Sequence, residues 1–236
     1  MGFKQRGYTR EVTQEKVRDY SLFAIATEGT VTEPNYFKPF DGIDCIKVDI
    51  IEPELAEGGK DKNEGSSPKK VLDRVEAYIN KYQLSAEDGD TLWCVIDVDR
   101  WPQKQIEELH NFCEQQKNRN LVISNPCIEI WMLYHKMANL SELGITGAKD
   151  AKRVLGEIDG GYYYIRYLPL MLDAIENASQ MDSAPGSWMP KLLETKVYLL
   201  GRALYNRMGK VRFEKFVASL PELDKVARGN KAGKRK

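Results

Sequence analysis

Apolar residues in the first 140 positions come in short, turn-bounded runs, and from Cys127 onward they recur at helical spacing. The run SLFAIA at 21–26 predicts a short buried strand, and Gly29 just beyond it lets the backbone turn sharply. Thr32, Glu33 and Pro34 then open a short helix ending near Phe40, with a hydroxyl cap, an acidic first turn and an early proline. The isoleucine- and valine-rich segment 43–52 predicts a second strand, and the polar, glycine-rich stretch 53–67 a mobile loop. Ser67-Pro68 starts a helix carrying Val71, Leu72, Val75, Ile79 and Tyr82 at near-helical spacing. TLWCVID at 91–97 predicts a third strand, with Pro102 ending the pattern and a charged helix running to about Arg119. LVIS at 121–124 predicts a fourth strand, and Asn125-Pro126 its turn. Helical segments follow over 127–137 and near 147–157, 162–179, 188–208 and 212–220.

Strand–helix alternation followed by helices predicts an α/β fold with a mainly parallel sheet flanked by helices and a helical C-terminal extension. The expected organisation is an N-terminal arm over 1–20, a sheet domain over 21–140, a helical extension over 141–222, and a basic tail without fixed structure over 223–236.

Composition narrows the class. The 236 residues are 42% hydrophobic and 30% charged, enough for a substantial core and too polar for a membrane span, a collagen-like fibre or a globally disordered chain. The first sixteen residues lack the apolar stretch of a signal peptide, so the expected location is cytoplasmic, with no membrane association. Thirty-five basic residues balance thirty-five acidic ones, which argues against a simple electrostatic sponge for nucleic acid. Cys45, Cys94, Cys113 and Cys127 are scattered; His110 and Cys113 share a helical face, but no second ligand pair completes a zinc site, and the expectation is four buried thiols in a reducing compartment.

Ligands of open α/β sheets bind beyond the carboxyl ends of the strands. Here those ends carry Glu28 after strand one, Asp97 and Asp99 after strand three, and Glu129 one turn past strand four. In a parallel sheet these carboxylates converge on one rim, and such a cluster repels itself unless a hard cation, Mg²⁺ or Mn²⁺, joins it. The alternative reading is structural: Glu129 at a helix start is favourable for the helix dipole alone, and Asp97 and Asp99 would hydrogen-bond a turn.

The ordered set EGTVTEPNYF (28–37), VIDVDRW (95–101) and SNPCIEIWMLYH (124–135) resembles the RloB-like family of Toprim-fold proteins over roughly residues 20–138. The resemblance implies a Toprim-like sheet and a Mg²⁺-dependent site, with Glu28 at the strand-one glutamate position and Asp97 and Asp99 at the D-x-D position. Glu33 and Glu129 lie in matching motifs, as additional metal ligands or as helix-start structure. It further implies a metal-dependent endonuclease acting in antiphage defence or abortive infection beside a separate ATPase. The chain carries no G-x-x-x-x-G-K-[ST] loop of its own.

Such a site would hydrolyse a phosphodiester with a metal-activated water, with Glu28 as ligand or general base; whether one or two metals act stays open. Tyr36 and Phe37 read as the buried face of the short helix rather than as a covalent nucleophile. Arg100, Lys152, Arg153 and Arg166, with Lys60 and Lys62 in the loop, are candidates for phosphate contacts, and the tyrosines at 162–164 and Tyr167 for base stacking or for helix core. Trp101 either packs under the rim or stacks on substrate. RNA, such as tRNA, and DNA are both open as substrates, and the hydrophobic helical third offers a surface for a homo-oligomer. Competing classes are a non-catalytic module binding Mg²⁺ and a nucleotide within a defence complex, and a nucleotidyl transferase.

Overall fold

The computed structural model describes residues 18–53, 67–98, 101–160 and 163–233. Most of the expected arm and loop, together with Asp99, Arg100 and Tyr162, lie outside these residues. Four strands, β1 (Ser21–Thr27), β2 (Ile46–Ile51), β3 (Thr91–Asp97) and β4 (Arg119–Ser124), form one sheet in the order β2-β1-β3-β4. All three pairings are parallel, with Ala26 opposite Ile51, Thr27 opposite Val95 and Asp97 opposite Ser124. The α/β class and parallel sheet are therefore as the sequence pattern predicts, and the carboxyl ends of β1, β3 and β4 line one rim.

Both faces of the sheet are covered, which is why its strands read as nearly unbroken apolar runs. Phe23 and Ile25 of β1, Trp93 and Val95 of β3 and Val122 of β4 face one core. It holds helix α1 (Thr32–Phe37), the 3₁₀ turn Lys38–Gly42, and helices α4 (Glu129–Tyr134), α5 (Ala148–Asp159), α7 (Met171–Met181) and α8 (Val197–Gly233). The intervening residues Ala24, Ala26, Leu92, Cys94, Ile96 and Ile123 face a second core under α2 (Pro68–Lys81) and α3 (Gln103–Glu114). All four cysteines are buried and free.

Chain direction fixes where a ligand would sit. From β1 the chain moves outward to β2, then crosses back so that β3 lies on the other side of β1. The strand order reverses between β1 and β3, which makes the crevice above their carboxyl ends the topological switch point.

The helix boundaries depart from the periodicity in several places. The cap of α1 falls on Val31, which has no side-chain acceptor, and Thr32 is the first helical residue. Ser67 does cap α2, its Oγ accepting from the Lys70 amide at 3.3 Å. The expected helix over 162–179 is broken into α6 (Tyr164–Tyr167), a 3₁₀ turn at Leu168–Leu170 with Pro169 inside it, and α7. The expected start at 188 moves to Val197, because the backbone before it is used elsewhere. Thr195 bridges antiparallel to Ser124; Lys196 donates its amide to the Ile123 carbonyl at 2.8 Å, and Asn125 donates to Glu194 at 3.0 Å. Residues 190–196 thereby cover the outer edge of β4. Helix α8 breaks at Gly209 (φ 69°, ψ 167°), matching the gap between the two expected segments, and then continues to Gly233. Backbone over 223–233 is thus helical where the sequence reading expects none; the leucine, alanines, lysines and arginine there are good helix formers. No helix among the described residues is long and apolar enough to cross a membrane.

Two buried polar networks brace the C-terminal half. Lys196 donates to both oxygens of Asp182, at 2.7 and 2.6 Å, and to the Ala184 carbonyl, while the Tyr198 hydroxyl donates to Asp182 at 2.7 Å. Burial alone would raise the Asp182 carboxyl, but these donors hold it below its usual range. In the larger core, His135 meets the Trp131 carbonyl through Nδ1 and the Tyr36 hydroxyl through Nε2, both at 2.9 Å. A carbonyl only accepts, so Nδ1 carries the proton and Nε2 accepts from Tyr36. Tyr36 is fully buried, as its place on the inner side of α1 predicts.

Candidate active site

Glu28 follows β1 directly and its amide donates to the Val95 carbonyl at 3.1 Å, extending the β1–β3 ladder by one residue. That bond delivers the side chain to the switch point. Glu28 Oε2 accepts the Asp97 amide at 3.0 Å, and Oε1 accepts the indole N–H of Trp101, also at 3.0 Å. Trp101 therefore packs under the rim, against the α2–α3 core, and holds the carboxylate of strand one.

Glu33 and Glu129 approach the same rim from the other face. Glu33 is 5% exposed and Glu129 8%, each on the first turn of its helix. Burial pushes the Glu33 carboxyl up; backbone amides of Glu33 and Gly29 partly offset this, while the charge of Glu129 raises it further and that of Lys152 lowers it. Glu129 Oε2 is buried without a hydrogen-bond partner among the described residues. Cys127 sits between the two groups of carboxylates: burial raises its thiol, and the charges of Glu129 and Asp97 add to the effect. A chain of neighbours thus runs from Glu28 through Asp97, Cys127 and Glu129 to Glu33 and Lys152.

Gly29 serves this arrangement differently from the sequence expectation. Its φ is not in the left-handed region. Its amide donates to Glu33 Oε1 at 3.1 Å, and a Cβ there would lie 2.5 Å from Glu33 Oε2. Glycine is required for room, not for torsion.

Of the basic candidates, exposed Lys152 on α5 lies near Glu33, so the helical extension contributes to the rim. Arg153, one residue on, is held by Glu157 through bonds of 2.8 and 3.0 Å. Arg166 lies exposed on α6. Asp99, Arg100, Lys60 and Lys62 fall outside the described residues.

Two contributors escape a motif-based reading. Arg74 on α2 donates from Nη2 to the Thr27 carbonyl at 2.8 Å, bringing a guanidinium to the end of β1. An arginine on the helix side that also presents Val71, Val75 and Tyr78 is its only signal in the sequence. Thr195, whose hydroxyl meets that of Ser124 at 2.8 Å beside Asp97, joins the rim from a position too distant for any local pattern.

The donor chemistry, carboxylate oxygens with one buried oxygen unpartnered, fits a hard divalent cation. Among the described residues, no three His, Cys, Asp or Glu side chains are close enough together to hold one by themselves.

The family model described as RloB-like protein matches residues 23–204, a span that takes in the sheet, the rim and most of the helical extension. Neither the curated proteins nor the solved structures contain a match.

Proposed function

Because the chain belongs to the RloB-like family, we propose that it is a Mg²⁺-dependent nuclease that hydrolyses phosphodiester bonds in nucleic acid at a Toprim-type site. One observation carries the reading: Glu28 and Asp97, at the carboxyl ends of β1 and β3, flank the switch point, and Glu28 Oε2 accepts the backbone amide of Asp97 at 3.0 Å.

In this reading Glu28, Asp97 and Asp99 hold the cation, with Glu129 as a further ligand through its unpartnered oxygen. Bound Mg²⁺ supplies charge neutralisation at the phosphate oxygens and lowers the pKa of water. The protein's own part is to orient Glu28, which either ligates or accepts the proton of the attacking water. Lys152 and Arg100, flanking the acidic rim in space and in sequence respectively, would bind the phosphate backbone. A defence role beside a separate ATPase completes the proposal and follows from the family resemblance alone; the cytoplasmic location proposed with it follows from the N-terminal sequence.

The test is incubation of the protein with labelled tRNA, single-stranded DNA and plasmid in Mg²⁺, Mn²⁺ or EDTA, beside Glu28→Ala. Cutting that EDTA abolishes and Glu28→Ala lacks is the expected result, and it identifies the substrate. If nothing is cut while Mg²⁺ and nucleotide still bind, the chain is a binding module instead.

A further inference from the structure

Two cavities on the side of the larger core run into one another. The first, of about 390 Å³, is lined by Asn35, Lys38 and Asp41 together with Tyr164 of α6. The second, of about 310 Å³, is lined by Asp44 with Arg212, Lys215, Phe216 and Ser219 of α8. Gly42 and Leu223 border both, so the two form one open groove between the 3₁₀ turn and α8. From Arg212 to Leu223 it follows α8 for about 16 Å at the helical rise per residue. Its other side begins near the acidic rim: Lys38 directly follows α1, the helix that carries Glu33, about 8 Å further along.

Lys38, Arg212 and Lys215 are exposed in this groove. Lys38 and Lys215 form no ion pair with the described residues, and Arg212 directs Nη1 to the Met208 carbonyl of its own helix at 3.5 Å. Of the two carboxylates, Asp41 is already engaged, Oδ2 accepting from Lys47 at 3.0 Å and Oδ1 from the Val48 amide at 2.9 Å. Asp44 is then left facing three cations, and cations spread over such a length suit a polyanion better than a single phosphate. Tyr164 adds an aromatic surface. Its half-buried ring packs on the core and is tilted against Tyr163 at 5.4 Å, and it also lines the groove. Unpaired bases stack on such rings whatever their sequence.

We infer that this groove binds the single strand that flanks the scissile phosphodiester, with phosphates on Lys38, Arg212 and Lys215 and a base against Tyr164. This deepens the nuclease reading by naming its substrate class, single-stranded nucleic acid, and rests on that reading.

The experiment measures binding of short labelled single-stranded RNA and DNA to the full chain by fluorescence anisotropy, in EDTA so that no metal-dependent cutting occurs, over a series of salt concentrations. Replacing Lys38, Arg212 and Lys215 together by Ala should reduce the slope of log K against log salt by about 2, since each phosphate contact on a single strand contributes about 0.7. Tyr164→Leu should weaken binding about 10-fold and leave the slope unchanged. The control replaces Lys104 and Lys117, exposed at either end of α3 on the opposite face of the sheet, by Ala and should change neither quantity. An unchanged slope in the triple variant, an equal drop in the control, or tighter binding of the same sequence as a duplex overturns the groove. So does displacement of the strand by polyglutamate as readily as by unlabelled strand, which would assign the surface to an acidic protein. A wild-type chain that binds no strand in EDTA overturns the groove and leaves the nuclease reading to its own cutting assay; groove binding without any cutting overturns the nuclease reading instead.

Discussion

The carboxylate of Glu33 fills the space that a side chain on Gly29 would need. A Cβ at Gly29 would lie 2.5 Å from Oε2 and 2.8 Å from Oε1, and the Gly29 amide donates into the same carboxylate at 3.1 Å. Gly29→Ala should therefore displace Glu33 and leave it buried beside Glu129 without the hydrogen bond from the residue 29 amide. The expected cost is about 1–3 kcal/mol of stability. Thermal melts of Gly29→Ala, Glu33→Ala and the pair would check it: the double variant should be clearly more stable than the sum of the single effects predicts. Simple additivity would contradict the steric account.

Acid should weaken the fold through His135. Burial drives its pKa down to about 3, and the ring is neutral with Nδ1 protonated against the Trp131 carbonyl. An unfolded histidine titrates near 6.5, so between these values the unfolded chain binds the extra proton. The stabilisation is complete above about pH 6.5 and falls toward about pH 3, by roughly 1.4 kcal/mol per pH unit well inside that window. Urea unfolding at pH 7, 6 and 5 should show this slope, and His135→Gln should flatten it even though it destabilises the protein at pH 7. An equal slope in the variant would assign the acid sensitivity to other groups.

The Lys196–Asp182 pair makes a third prediction. Lys196→Met leaves a buried carboxylate with only the Tyr198 hydroxyl and a backbone amide as donors, and should cost about 3–5 kcal/mol. Replacing both members, Lys196→Met with Asp182→Asn, should cost less than the single change, since no unpaired charge is left inside. Urea midpoints of the two variants decide it; a larger loss in the double variant would contradict the prediction.

The strands were legible because both faces of the sheet are buried, so β1 and β3 carry short, turn-bounded apolar runs. Their carboxyl ends then pointed to Glu28 and Asp97 without any knowledge of contacts. The helical third was read less well. Residues 188–196 have apolar content and helical spacing, yet their backbone groups go to β4 and to the Asn125 turn, a use visible only once both segments are in space. Trp101 was open for the same reason: an indole four residues past Asp97 looks alike in sequence whether it faces substrate or reaches Glu28. Gly29 was singled out correctly but for the wrong physical cause, because room for a neighbour's carboxylate leaves no mark on local pattern.

The covering of β4 by residues 190–196 also sets an order of events during synthesis. When the strand-four segment and its Asn125 turn leave the ribosome, the groups that will pair with their outer side have not yet been made. The rim beside Asp97 is therefore finished late, when Thr195 and Lys196 arrive to meet Ser124 and Ile123. Until then the nascent sheet carries an open edge, exposed to pairing with other chains. Nascent chains lacking the helical third are therefore without part of the frame behind the acidic rim.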